Sequence, residues 1–238
     1  MVILLKNLIV DYRICEEEKE AILNLGYNFL FCPPSRNLQY PVSGHPDMLM
    51  HILDNKNIIV HKDMTEEFVN ILINLGYSIL YSNSSLKSTY PFDIILNALN
   101  ISNYFVHYLD YTDNNLLKFF KNRKNLLKVK QGYTKCSTAI ISDKAIITSD
   151  TGIASILSSN KIDVLLIPPG DILLPGLNYG FIGGCCGLIR EDVVAFYGNL
   201  KYYKYGDQVM NFLKEHKVTP VFLREGPLID RGSIFAIE

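Results

Sequence analysis

The residues able to do chemistry in this chain stand in its polar loops. His45 and Asp47 lie in Ser43-Gly44-His45-Pro46-Asp47, and Asp93 follows Tyr90-Pro91-Phe92. Lys135, Cys136 and Ser137 close a polar stretch that begins at Gln131. Cys185 and Cys186 follow Gly183-Gly184, and Asp230, Arg231 and Ser233 stand near the C-terminus. A thiol with a histidine at hand is the set that nucleophilic attack requires. Cys136 is the leading candidate, because the adjacent Lys135 would lower its pKa; the competing reading is a small residue packed at a strand start. Cys185 is the second candidate, since two preceding glycines imply a tight bend or a close backbone approach, although one of two adjacent thiols commonly belongs to the core. His45 is either functional or a loop histidine bonded to Asp47, because nothing in its loop needs an imidazole for packing. Asp47 and Asp93 take matching places after Pro46 and Pro91, where a carboxylate binds a cation or caps a turn.

These loops need elements to position them, and the elements repeat. Leu25-Gly26-Tyr27 returns as Leu75-Gly76-Tyr77, and Tyr40-Pro41 as Tyr90-Pro91, each at an offset of 50 residues. Helices are predicted over 16–25, 64–75, 113–124, 151–159 and 206–216. In the second of these Phe68, Ile71, Leu72 and Leu75 form one apolar face. Thr65 is its expected N-cap, Asp150 or Ser149 that of the fourth helix, and Gly26 and Gly76 suit left-handed C-terminal caps. A short apolar strand follows each helix: Tyr27–Phe31, Tyr77–Tyr81, Asn125–Val129, Asp163–Ile167 and Val218–Leu223. Such runs suit strands buried on both faces. Hairpins come next, at Asp47–Leu53 with Ile58–His61, Asp93–Leu99 with Tyr104–Tyr108, Thr138–Ile141 with Ala145–Thr148, and Gly187–Ile189 with Val193–Tyr197. The approaches to them, at Asp47, Asp93, Ser137, Cys185 and Gly232, are 46, 44, 48 and 47 residues apart. The last unit offers only Gly232–Ile237, and its missing partner is the N-terminal strand Leu8–Tyr12. One domain spanning 1–238 follows: an α/β ring of five ββαβ units, closed where the N-terminal strand completes the last unit, which leaves no open sheet edge at the closure.

Composition narrows the function classes. With 48% apolar and 20% charged residues the chain suits an ordinary globular core. A net charge of −1 gives no reason to expect nucleic acid or an acidic membrane surface. The tyrosines and lysines between Tyr197 and Tyr205 read as a solvated connector. Met1–Lys6 reads as a strand, not a signal peptide, and no apolar run approaches a membrane span. A cytoplasmic protein with reduced thiols is expected, and its five cysteines include no C-x-x-C pair. Cys15 and Cys32 read as structural, as do His51, His61, His107 and His216. No metal and no cofactor are expected. Dinucleotide, Walker, zincin and nucleophile-elbow motifs are absent, and the glycines at 180, 183, 184 and 187 precede no clear helix that would bind phosphate.

A five-unit ring of this length resembles the pentein superfamily of arginine deiminases, amidinotransferases and dimethylarginine hydrolases, which also includes non-catalytic ribosome anti-association factors. Gly44-His45-Pro46-Asp47 is similar to its His-x-Asp element. Leu228-Ile229-Asp230-Arg231-Gly232-Ser233 is similar to its C-terminal glycine motif. The resemblance implies attack of a cysteine thiolate on a guanidinium carbon, with a histidine moving protons and carboxylates holding the planar cation. The family's cysteine follows the glycine motif, where this chain has Ser233, Ile234 and Phe235, so that residue is not carried over. Two functions are therefore expected side by side. The first is a cysteine-dependent hydrolase or transferase acting on a guanidino or amidino small molecule, with Cys136 or Cys185 as nucleophile and His45 as proton carrier. Asp47, Asp93, Asp230, Arg231, Ser233 and Lys135 would bind the ligand. The second is a non-catalytic ring that binds a small ligand or a protein.

Overall fold

A helix, a returning strand and then a new hairpin follow one another along the chain. The computed structural model describes residues 6–237. It begins with β1 (Asn7–Asp11), α1 (Glu16–Asn24) and β2 (Asn28–Cys32). The next unit holds α2 (Pro46–Leu49), β3 (Met50–Ile52), β4 (Asn57–Val60), α3 (Glu66–Asn74) and β5 (Ser78–Tyr81). β6 (Leu99–Ile101), β7 (Tyr104–His107), α4 (Asn114–Phe120) and β8 (Asn125–Lys128) form the third. Then come β9 (Thr138–Ser142), β10 (Ala145–Thr148), α5 (Thr151–Ser159) and β11 (Asp163–Leu166). The last full unit is β12 (Cys186–Arg190), β13 (Val193–Phe196), α6 (Gly206–Glu215) and β14 (Thr219–Phe222), and β15 (Phe235–Ile237) ends the chain.

Each unit makes one three-stranded sheet, in which the middle strand pairs antiparallel with the strand before it and parallel with the strand after the helix. The terminal sheet is ordered β15-β1-β2, with Ile9 opposite Phe235 and Asp11 opposite Cys32. The chain thus closes a five-unit ring through its own two ends, as the repeat requires. The strand expected at Met1–Lys6 falls, but for Lys6, outside the described residues.

Local chemistry explains the boundaries. Gly26 and Gly76 take φ of +81° and +93°, the left-handed turn that ends α1 and α3. Asp150 caps α5 by accepting from the Ile153 amide at 2.8 Å, whereas Thr65 stands at the N-cap of α3 without a side-chain bond. The buried face of α3 is Phe68, Val69 and Leu72. Ile71 and Leu75, expected on that face, lie at its flank with more than a third of their surface exposed.

Three expectations are corrected. The strands buried on both faces are the middle ones, β1, β4, β7, β10 and β13. The strands after the helices pair on one side only and are half exposed at the rim. Residues 47–49 form the helical turn α2, led by Pro46 at its first position, and residues 93–98 are likewise outside β6. Ser233, with a φ of +73°, precedes the last strand instead of belonging to it. Shortening these strands at their inner ends frees the connecting residues to converge on the ring axis. Among the described residues no helix is long and apolar enough to cross a membrane.

Candidate functional site

The inner ends of the units meet in a buried polar knot. Asp47, from the turn before β3, is its centre. Asp47 Oδ2 accepts from Ser233 Oγ at 2.7 Å and from the Cys136 thiol at 3.1 Å. Ser233 Oγ also lies 2.7 Å from the Gly183 carbonyl and receives the Lys135 ammonium at 2.9 Å. Asn97, which the sequence did not single out, ties the loops together. Its amide donates to the Asp47 carbonyl and stands 3.0 Å from Cys136 Sγ, while its Oδ1 accepts from the backbone amides of Lys135 and Cys136. Asn97 falls inside the strand expected over Asp93–Leu99, and only the 50-residue offset, which sets it at the place of Asp47, marks it in the sequence.

A cavity of about 500 Å³ opens on one side of this knot. His45, Cys136, Asp93 and Asp230 line it, together with the rings of Tyr90, Tyr133, Tyr179 and Phe181. His45 is buried between two carboxylates, with Nδ1 3.7 Å from Asp230 Oδ1 and Nε2 4.0 Å from Asp11 Oδ2. Neither ring nitrogen has a hydrogen-bond partner. Burial holds its pKa down despite both acids, which keeps the imidazole neutral at neutral pH. Asp11 is committed elsewhere, to the Arg13 guanidinium at 2.5 and 2.9 Å. Asp230 accepts from the Phe181 and Gly232 amides. Asp93 Oδ2 accepts from the Tyr133 hydroxyl at 2.6 Å, and its Oδ1 is buried without a partner. Burial raises the pKa of Asp47, Asp93 and Asp230 alike.

Lys135 was expected to activate Cys136, and the geometry reverses that. Consecutive side chains diverge: the thiol faces the cavity, and the ammonium turns through the knot toward a separate cavity of about 260 Å³ at the other end of the ring axis. Burial first, then the charges of Asp47 and Asp230, push the Cys136 pKa well up, so the resting residue is a thiol. Asp47 and Asp93 also do not match by position. Asp47 belongs to the turn joined to β3 at Met50, whereas Asp93 is separated from β6 by residues 94–98. Cys185 and Cys186 are core residues whose thiols donate to the Ile182 carbonyl, and neither lines the cavity. Arg231 does not line it either. The glycine pair before Cys185 serves close approach: a Cβ on Gly184 would stand 2.0 Å from Asp230 Oδ1. Among the described residues no three His, Cys, Asp or Glu side chains are grouped to hold a metal ion.

Comparison with known proteins bears on this arrangement. A family profile described as "Family of unknown function (DUF6873)" matches residues 9–235. The chain belongs to that family. DUF6873 here has solved structural counterparts of known name. Inosamine-phosphate amidinotransferase from Streptomyces griseus superposes with a TM-score of 0.57 at 11% identity, covering 92% of this chain and 88% of that one. DDAH from Pseudomonas aeruginosa, solved with citrulline, gives 0.55 at 10% identity, covering 92% of each chain. SxtG, an amidinotransferase of saxitoxin biosynthesis from Microseira wollei, gives 0.55 at 9% identity, covering 92% and 88%. No curated protein matches by sequence. The likeness is one of fold, and the fold is that of the pentein superfamily.

Proposed function

We propose that this DUF6873 protein is a cysteine-dependent hydrolase or transferase acting on a guanidino or amidino small molecule, with Cys136 as nucleophile. The observation that carries the reading is the opening of Cys136, His45, Asp93 and Asp230 into one cavity. Its size falls in the range of small-molecule sites, roughly 300–1,000 Å³. A planar cation with several N–H donors is matched by carboxylates, one of which has an oxygen with no other partner. The cation would also act on the nucleophile. The negative field of Asp47 and Asp230 that now opposes the thiolate is offset once a positive ligand lies in the cavity beside Asp230 and Cys136, so binding itself lowers the thiol pKa. Asp47 Oδ2, 3.1 Å from Sγ, is placed to accept the proton as the S–C bond forms. The departing nitrogen needs that same proton as the C–N bond breaks, and His45, neutral and without a hydrogen-bond partner, would relay it, accepting at one ring nitrogen and releasing from the other.

Cys136→Ala tests this directly. Release of amine or ammonia from a panel of guanidino compounds should fall by at least about a thousandfold, with binding retained. Wild-type turnover in that variant would sink the assignment of the nucleophile. The second reading, a non-catalytic binding ring, is favoured by one observation: the resting thiol is protonated and donates to Asp47. It predicts saturable binding of a guanidinium compound with no turnover by the wild-type protein.

A further inference from the structure

We infer that the site selects a guanidinium or amidinium cation that carries an apolar body and no carboxylate, and rejects guanidino acids such as arginine. This rests on the function proposed above and narrows its substrate class.

The first ground is charge. The acids Asp93 and Asp230 line the cavity, and no lysine or arginine does. The cations closest to the polar knot stay out of the lining, and Lys87, next to the lip residue Ser88, lies over the Phe92 ring. Lys135 opens toward the cavity at the far end of the axis and holds Ser233. Arg13 is spent on Asp11 and on the carbonyls of Tyr40 and Pro41. Arg231 does not reach the lining. A carboxylate brought into this space would leave water for two like charges and find no cationic partner, which is among the more expensive arrangements in a protein interior.

The second ground is the wall above the acids. Tyr90, Leu177 and Tyr179 line the cavity yet remain 44–50% exposed at its mouth. Tyr133 stacks obliquely between Tyr90 and Phe181, with centroids 5.7 and 6.0 Å apart. The polar groups at the lip, Gln39, Ser88 and Thr89, are uncharged. Apolar surface held open to solvent at the mouth of an acidic cavity suits a ligand whose head is cationic and whose tail is hydrocarbon.

The test is calorimetric titration of the full chain at pH 7.5 with n-butylguanidinium, 4-guanidinobutanoate, L-arginine and n-butylurea. Butylguanidinium should bind at least about tenfold more tightly than 4-guanidinobutanoate or arginine, the ~1.4 kcal/mol that an unpaired carboxylate would readily exceed. Butylurea, neutral and of similar shape, should give no heat. Tyr179→Ala, an exposed change that spares the core, should weaken butylguanidinium while leaving methylguanidinium unaffected. A preference below tenfold, or arginine bound best, overturns the substrate class and leaves the guanidino function standing. Absence of binding by every guanidinium compound, or equal binding of butylurea, overturns the functional reading itself.

Discussion

Replacing Asp47 by asparagine should make Cys136 more reactive, although it removes the group placed to take its proton. In the resting site the carboxylate oxygen lies 3.1 Å from Sγ. At an effective dielectric of ~20, a thiolate there would be disfavoured by about 5 kcal/mol. We take about half of this, ~2–3 kcal/mol, as surviving local relaxation and the countercharge on Lys135. At pH 7 the thiolate fraction then rises ~100-fold, and the accompanying loss of intrinsic nucleophilicity, with a Brønsted slope of about 0.5, leaves a net gain of about tenfold. The assay is a timed iodoacetamide pulse on wild type and Asp47→Asn, with each alkylated cysteine located by peptide mass. Exposed Cys15 reports reagent activity in the same tube, and buried Cys32, Cys185 and Cys186 report any unfolding. An unchanged or slower rate at Cys136, with Cys15 steady and the buried thiols silent, would refute the electrostatic reasoning and make access the controlling factor.

The buried histidines predict acid sensitivity. His107 is held at about 4 by burial, below an unfolded value near 6.5, so its contribution is complete above pH 6.5 and is lost as pH falls toward 4. In urea titrations the stability gap between wild type and His107→Gln should shrink by about 3 kcal/mol from pH 7 to pH 4; a constant gap would contradict a neutral buried imidazole. Glycine replacements separate close approach from backbone strain. Gly184→Ala forces a methyl onto Asp230 and should cost about 1–3 kcal/mol and abolish ligand binding. Gly26→Ala, with open space around it, should cost about 1 kcal/mol and leave binding intact; equal effects on binding would argue against an acidic site at Asp230.

What could be read along the chain was whatever local periodicity and short-range turn chemistry specify. The apolar spacing in α3, the left-handed glycines at 26 and 76, and the recurrence at 50 residues all act within a few residues or between copies of one unit. They therefore led to the helices, the returning strands and the closure of β15 on β1. The loops carrying His45, Asp47, Cys136 and Asp230 were legible for the same reason, since equivalent loops of a ring must point to one axis. Side-chain direction at that axis was not legible. Lys135 and Cys136 are neighbours in sequence, yet one faces each end of the ring, because the bonds to Ser233 and Asp47 that aim them come from residues far away in the chain. Asn97 entered the site through partners about 40 and 50 positions distant. The sign of the Cys136 shift followed from burial and from two carboxylates supplied by other units. Charge, desolvation and hydrogen-bond partners at the centre of this ring are properties of five units meeting, and no single stretch of sequence contains them.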